Sequence, residues 1–184
     1  MINNRVVITG IGVVAPNAVG AADFEKALKE GRSGIRFFEE SQSLNFRCQI
    51  AGKPLITEDY KARFFDDYYQ NKLDNNAIIY ACLAGFEAWE NAGLIHHQNQ
   101  IDFDSGMIIG SGALGLDGSN HAVFSKILAG NNKRLGSRAI PESMSSGAAA
   151  YLNKILGLGN RILSNSSACI TGTESVLLGY EHLK

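Results

Sequence analysis

The sequence predicts an α/β protein with a largely parallel sheet covered on both faces. Two observations carry that expectation. Apolar, β-branched runs at Arg5–Val14, Gly106–Gly110 and Arg161–Leu163 read as buried strands. Helical patterns separate them, so the order is strand, helix, strand, helices, strand, helix.

Each element has a local justification. Pro16-Asn17 marks the turn that ends the first run. Asp23–Lys29 is a short amphipathic helix, and Gly31 closes it, as glycine does just past a C-terminus. Phe37–Gln70 is mixed, with aromatics clustered at Phe64, Phe65, Tyr68 and Tyr69; it reads as an irregular insert with one short helix near Glu58–Tyr69. Asp74–Ala92 is the clearest helix, with Asp74 or Asn75 to cap it and Gly93 to stop it. Its stripe of Ile78, Ala81, Cys82, Gly85, Trp89 and Ala92 is rich in small residues, which predicts close packing on another backbone, with Cys82 in the core. Ser119–Ala129 reads as helical, with Val123, Ile127 and Leu128 inward. Pro141 opens a charge-poor stretch continuing to Leu156, read as one buried helix.

Length and composition bound the function. The 184 residues, 45% hydrophobic, suffice for one core and one domain. A net charge of −1 gives no reason to expect nucleic acid or a membrane surface as partner. Cys48, Cys82 and Cys169 have no framework spacing, which favours a reducing compartment, and no clustered Cys/His pattern calls for a metal. With no signal-peptide plan and no apolar run of membrane-spanning length, the expectation is a soluble, cytoplasmic protein.

The stretch from Leu163 to Lys184 carries the chemistry. Small polar residues, Ser164-Asn165-Ser166-Ser167, follow the third strand and lead to Ala168-Cys169. Beyond Cys169 the spacing of Ile170, Thr173, Leu177 and Tyr180 is helical, with Val176 and Leu183 near that face. A cysteine therefore sits where a strand turns into a helix. Unpaired N–H groups and the positive end of the macrodipole both favour a thiolate there, and the thiolate is the nucleophile. Ala168 and Gly172 add little bulk beside the sulfur. The alternative is an ordinary buried thiol.

Other motifs are weaker. Gly110-Ser111-Gly112-Ala113-Leu114-Gly115 and Gly10-Ile11-Gly12-Val13-Val14-Ala15 are formal dinucleotide fingerprints. Neither has the acidic residue that closes a second strand about twenty residues on. Glycines that let backbones approach and turn are the better reading. Of the histidines, His96 and His97 follow a helix stop and read as solvated, and His121 has no evident partner. His182 shares the Cys169 helix, but thirteen residues at about 1.5 Å each place it roughly 20 Å away along the axis.

Three segments carry a family resemblance, and a fourth adds to it. Ser167-Ala168-Cys169-Ile170-Thr171-Gly172 resembles the nucleophile motif of the β-ketoacyl-acyl-carrier-protein synthases, although Ile170 stands where that family usually has a small residue. Arg5–Pro16 is similar to the family's first strand, Ile109-Gly110-Ser111-Gly112 to its central glycine stretch, and Gly31-Arg32-Ser33-Gly34-Ile35 to a segment after its first helix. Their order and separations resemble the family's along nearly the whole chain.

The resemblance implies a thiolase-like fold, with residues 1–184 forming the N-terminal half of an αβαβα layered architecture. It implies that Cys169 takes an acyl group from acyl-carrier protein and that a decarboxylated malonyl thioester then attacks it. Both groups would arrive linked to phosphopantetheine, with no other cofactor and no metal. Gly112 and Ala113 would help shape the acyl pocket. The strand at Arg161–Leu163 would pair across a homodimer or heterodimer axis. The family's two catalytic histidines and its glycine-rich oxyanion loop belong to the second half, so residues 1–184 alone are expected to be inactive in condensation, although a reactive thioester could still acylate Cys169. A non-catalytic chain-length-factor-like subunit and an unrelated α/β binding protein are the alternatives; Cys169 itself argues against the former.

Overall fold

The computed structural model describes residues 5–65, 73, 75–94, 100–114, 116 and 119–184, without the side chains of His121, Ala122 and Arg134. Tyr68, Tyr69, Asp74, His96, His97 and Gly115 lie outside the described residues. The chain forms two compact units. One comprises residues 10–71 and 83–93; the other comprises residues 1–9, 72–82 and 94–184.

The first unit begins with a tight hairpin. β1 (Val14–Ala15) pairs antiparallel with β2 (Ala18–Val19) around Pro16-Asn17, the turn expected there. α1 (Ala21–Lys29) follows. It closes as predicted, with Gly31 at φ 63°. The N–H of Arg32 reaches the carbonyl of Ala27 and that of Gly31 reaches Leu28, a Schellman cap. β3 (Ile35–Phe37) and β4 (Ile50–Gly52) form an antiparallel ribbon around α2 (Glu39–Ser43). The expected irregular insert is thus partly ordered. Its short helix is α3 (Glu58–Ala62), capped by the Thr57 hydroxyl.

Helix α4 (Asn76–Asn91) contributes residues to both units. Asn75 caps it: its side-chain oxygen accepts the N–H of Ile78. Gly93, at φ 72°, follows its end. In the first unit, Leu83 and Phe86 join Ala27, Phe64 and Phe65 in the core. Ala84, Ala88 and Ala92 form a small-residue face. A Cβ on Gly12 would strike the carbonyl of Ala84 and stand 2.7 Å from the nitrogen of Ala88; one on Gly10 would strike the carbonyl of Ala88. The first glycine pair therefore lets a backbone lie on α4, as the close-packing reading expected, although the face differs from the stripe read in the sequence. Glu87 completes this packing. Its two carboxylate oxygens accept the N–H of Val13 at 2.8 Å and of Ala21 at 2.6 Å, so it satisfies the open end of α1.

The second unit holds the one parallel ladder among the described residues. β5 (Met107–Gly110) pairs with β6 (Ile162–Asn165), Met107 opposite Ile162 and Gly110 opposite Asn165. Between them lie a π-helical turn (Ser119–Phe124), α5 (Ser125–Leu128), α6 (Ala139–Ser143) and α7 (Gly147–Leu156). α8 (Thr171–Leu183) follows β6. The core includes Ile78, Ile79, Cys82, Ala148, Ala149, Leu152, Leu156 and Leu158. Burial pushes the Cys82 thiol up to about 12, as befits a core cysteine. Helices and a parallel pair make this an α/β chain.

Three expectations need correction. Residues 5–13 form no ladder, and Val7, Ile8 and Ile11 are exposed, because among the described residues no strand pairs with that run. In the Ser119–Ala129 segment the first turns are π-helical, and Ile127 and Leu128 point outward, Leu128 being 88% exposed. The stretch from Pro141 to Leu156 is two helices, broken where Met144 adopts an extended conformation. The second of them is buried, as expected. The helix expected after Cys169 is present as α8, with Val176, Leu177, Tyr180 and Leu183 outward. Its inward residue is Thr171, because the helix lies against β5 by small polar side chains.

Candidate active site

The site is built at the carboxyl end of the parallel pair. β6 runs two residues further than its apolar run suggested, through Ser164 and Asn165. The ladder continues one step beyond β5, since the N–H of Ser111 donates to the carbonyl of Asn165 at 3.1 Å. Both chains then leave the sheet at the same end. One leads to Gly112-Ala113, the other to Cys169. In α/β proteins, ligands bind outside this end of the strands.

Between β6 and α8 the backbone turns sharply. Ala168 has φ 50°, in the left-handed region that a non-glycine residue enters at a cost of about 1–2 kcal/mol. A single 3₁₀ turn, Ala168–Ile170, follows and carries Cys169. The thiol is exposed. Such a corner leaves the cysteine side chain open to solvent, which suits a nucleophile. Strained residues of this kind cluster at functional sites.

Hydrogen bonds hold the corner in shape. The buried Thr171 hydroxyl spans Ala168: it accepts the N–H of Ser167 at 2.8 Å and donates to the carbonyl of Ala168 at 2.6 Å. Asn165, the last residue of β6, donates through Nδ2 to the carbonyl of Thr171 at 3.2 Å and to Glu174 Oε2 at 2.9 Å. The Ser167 hydroxyl donates to that same oxygen. Ser175 Oγ lies 2.7 Å from Asn165 Oδ1 and 2.9 Å from the carbonyl of Thr171. The hydrogen bonds from Ser167 and then Asn165 hold the Glu174 carboxyl below its usual range.

Gly110 makes the placement of α8 possible. A Cβ there would strike Ser175 Oγ and stand 2.5 Å from Thr171 Cγ2 and 2.8 Å from the Thr171 carbonyl oxygen. Only a glycine lets the first turn of α8, and with it the corner, rest on β5.

The predicted site residues are thus distributed as follows. Cys169 stands at the corner, exposed. Gly112 and Ala113 lie at the same sheet end and are also exposed. Beyond its chain neighbours, nothing among the described residues lies within 4 Å of a Cβ built on Gly112, so Cys169 does not touch that position. Sequence reasoning missed Asn165, Ser167, Thr171, Glu174 and Ser175 as a network. Their signal was present as polar residues flanking a lone cysteine at a strand-to-helix junction. It was read only as small polar filler.

Comparison with known proteins decides the family. Residues 3–184 match the family described as "Beta-ketoacyl synthase, N-terminal domain". The chain belongs to that family. It is 32% identical over 179 residues to a 3-oxoacyl-[acyl-carrier-protein] synthase 1 of Haemophilus influenzae, covering 94% of this chain and 41% of the relative. A 3-oxoacyl-[acyl-carrier-protein] synthase 2 of Vibrio harveyi is 29% identical over 177 residues, covering 96% and 41%. The chain therefore spans less than half the length of these relatives. Among solved structures, a β-ketoacyl synthase from Burkholderia phymatum STM815 superposes with a TM-score of 0.75 at 23% identity, covering 97% of this chain and 43% of that one. The fold is thiolase-like α/β, as the resemblance implied. Among the described residues of this synthase domain, no helix is long and apolar enough to cross a membrane.

Proposed function

We propose that residues 1–184 are the N-terminal half of a 3-oxoacyl-acyl-carrier-protein synthase and that Cys169 is its acyl-accepting nucleophile. The observation that carries the reading is the left-handed corner at Ala168, which holds an exposed cysteine between a parallel strand and a helix. The Cys169 sulfur attacks the carbonyl of an acyl group carried by acyl-carrier protein. The new carbon–sulfur bond forms, the old one breaks, and the carrier's phosphopantetheine thiol leaves with the proton. In the complete synthase a malonyl thioester then loses carbon dioxide, and its carbanion attacks the acyl carbonyl. The bond to Cys169 breaks and a β-ketoacyl thioester is released. The relatives' names, 3-oxoacyl-[acyl-carrier-protein] synthase, support both the reaction and the carrier.

Gly112 and Ala113 belong to the acyl pocket in this reading, supported by their position at the same sheet end as Cys169. β6 is the strand we assign to a dimer axis; among the described residues it pairs on one side only, with β5. Cysteines that form no disulfide favour the cytoplasm as its setting.

The test is acyl transfer. The chain is incubated with octanoyl-acyl-carrier protein, and its peptides are mapped by mass. Octanoate on Cys169, and none on the Cys169→Ala protein, is the expected result. Acylation that persists undiminished in Cys169→Ala would overturn the assignment.

A further inference from the structure

We propose that Glu174 is a positioning residue for Cys169, acting through the backbone at Ala168. The proposal rests on the reading of Cys169 as the nucleophile. Three facts point to it. First, the corner holds a non-glycine residue at φ 50°, a conformation that persists only where the surroundings impose it. Second, a single oxygen, Glu174 Oε2, accepts hydrogen bonds from two residues on the approach to the turn. One comes from Asn165 at the end of β6, the other from Ser167, the residue before Ala168. Third, Glu174 stands in the first turn of α8, where a negative charge is favoured. The carboxylate therefore ties strand, corner and helix together with charge-assisted hydrogen bonds. Thr171 closes the corner on its other side.

No other side chain described at this corner carries a charge in that place. Arg161 precedes β6, Lys154 is in the last turn of α7, and Glu181, His182 and Lys184 lie at the far end of α8. Without the carboxylate, Ser167 and Asn165 can turn to water. Only the Thr171 hydroxyl then opposes relaxation of Ala168 toward negative φ, and that rotation swings the following residue, Cys169, off its direction. Glu174 touches neither the acyl group nor the thiol in this account; it fixes where the thiol points.

Because both hydrogen bonds fall on one oxygen, the substitutions separate cleanly. Glutamine offers an amide oxygen that can accept both, whereas alanine offers none. The chain and its Glu174→Gln and Glu174→Ala variants are labelled with carbon-13 at alanine, and the Ala168 shifts are read by NMR. Acylation of Cys169 by an octanoyl N-acetylcysteamine thioester is timed alongside. Glu174→Ala, which removes both hydrogen bonds, is expected to move the Ala168 shifts out of the left-handed range and to slow acylation by about tenfold, a part of what two charge-assisted hydrogen bonds contribute. Glu174→Gln is expected to keep the shifts and to stay within about twofold of the parent rate, since its acceptor remains. Unchanged Ala168 shifts and an unchanged rate in Glu174→Ala would overturn the proposal. Should Glu174→Ala fail to fold, Ser167→Ala removes one of the two donors and is expected to slow acylation by about threefold, a fraction of one such bond; an unaltered rate there overturns it equally. If the parent chain is not acylated at Cys169, the nucleophile assignment has failed, and the Ala168 shifts still decide whether Glu174 holds the corner.

Discussion

A Cβ on Gly12 would run into the backbone of α4, whereas one on Gly112 would meet nothing among the described residues within 4 Å beyond its chain neighbours. The two glycine-x-glycine motifs look alike in the sequence and serve different ends. In Gly10-Ile11-Gly12 both glycines face Ala84, Ala88 and Ala92, so a backbone and a helix meet with no side chain between them. In Gly110-Ser111-Gly112 the first glycine makes the same kind of contact, with Thr171 and Ser175 of α8. The second has left the sheet and stands open. The lesson is that the partner gives a glycine its meaning. Where a helix lies over it, glycine is an architectural necessity. Where the chain emerges at the carboxyl end of a parallel pair, it leaves room.

Substitutions test that contrast. Gly12→Ala should have the largest effect, because the atoms in its way are main-chain atoms of a helix that also holds core residues. Forced overpacking of this kind costs about 3 kcal/mol. The urea midpoint should fall accordingly, and a midpoint equal to the parent's would mean that the contact is loose. Gly110→Ala should cost about 1–2 kcal/mol, since part of the clash is with the movable Ser175 side chain. Its distinguishing mark is functional: α8 must shift off β5, so acylation of Cys169 should slow even where the protein remains folded. Gly12→Ala, measured well below its unfolding midpoint, should not show that slowing.

Gly112→Ala should leave stability within about 0.5 kcal/mol, as an exposed substitution with open space around it. Ala113→Phe should be equally mild for folding, yet it should shorten the acyl chain that the synthase prefers. A competition among hexanoyl, octanoyl and dodecanoyl thioesters reads this directly, and an unchanged preference removes Ala113 from the pocket.

The smallest effect separates the two contacts by pH. Glu174 is held below the ordinary glutamate range by Ser167 and Asn165. A group with a depressed folded pKa contributes stability above its unfolded pKa, and that contribution is lost as pH falls through the folded value. The α8 corner should therefore loosen from the ordinary glutamate range downward. Glu174→Gln should remove that pH dependence. Thermal melts of the two proteins across this range check the sign; a parent that gains stability relative to Glu174→Gln on acidification would contradict it.

The sequence by itself determined the punctuation of this chain and the position of its cysteine. Pro16-Asn17, Gly31, Asn75 and Gly93 act through φ, ψ and hydrogen bonds a few residues away, so their effect is written locally. Cys169 at a strand-to-helix junction was legible for the same reason. Only the tertiary structure decided which faces turn inward. Val7, Ile8 and Ile11 lie in a run that reads as a buried strand, yet they stand exposed, because burial depends on a partner surface that the apolar pattern does not encode. The structure also decided that Ala168 is left-handed and that Asn165, Ser167, Thr171 and Glu174 are what surround it. These residues belong to a strand, a turn and a helix whose hydrogen bonds form only once the helix has folded back onto the sheet, and Gly110 permits that close approach.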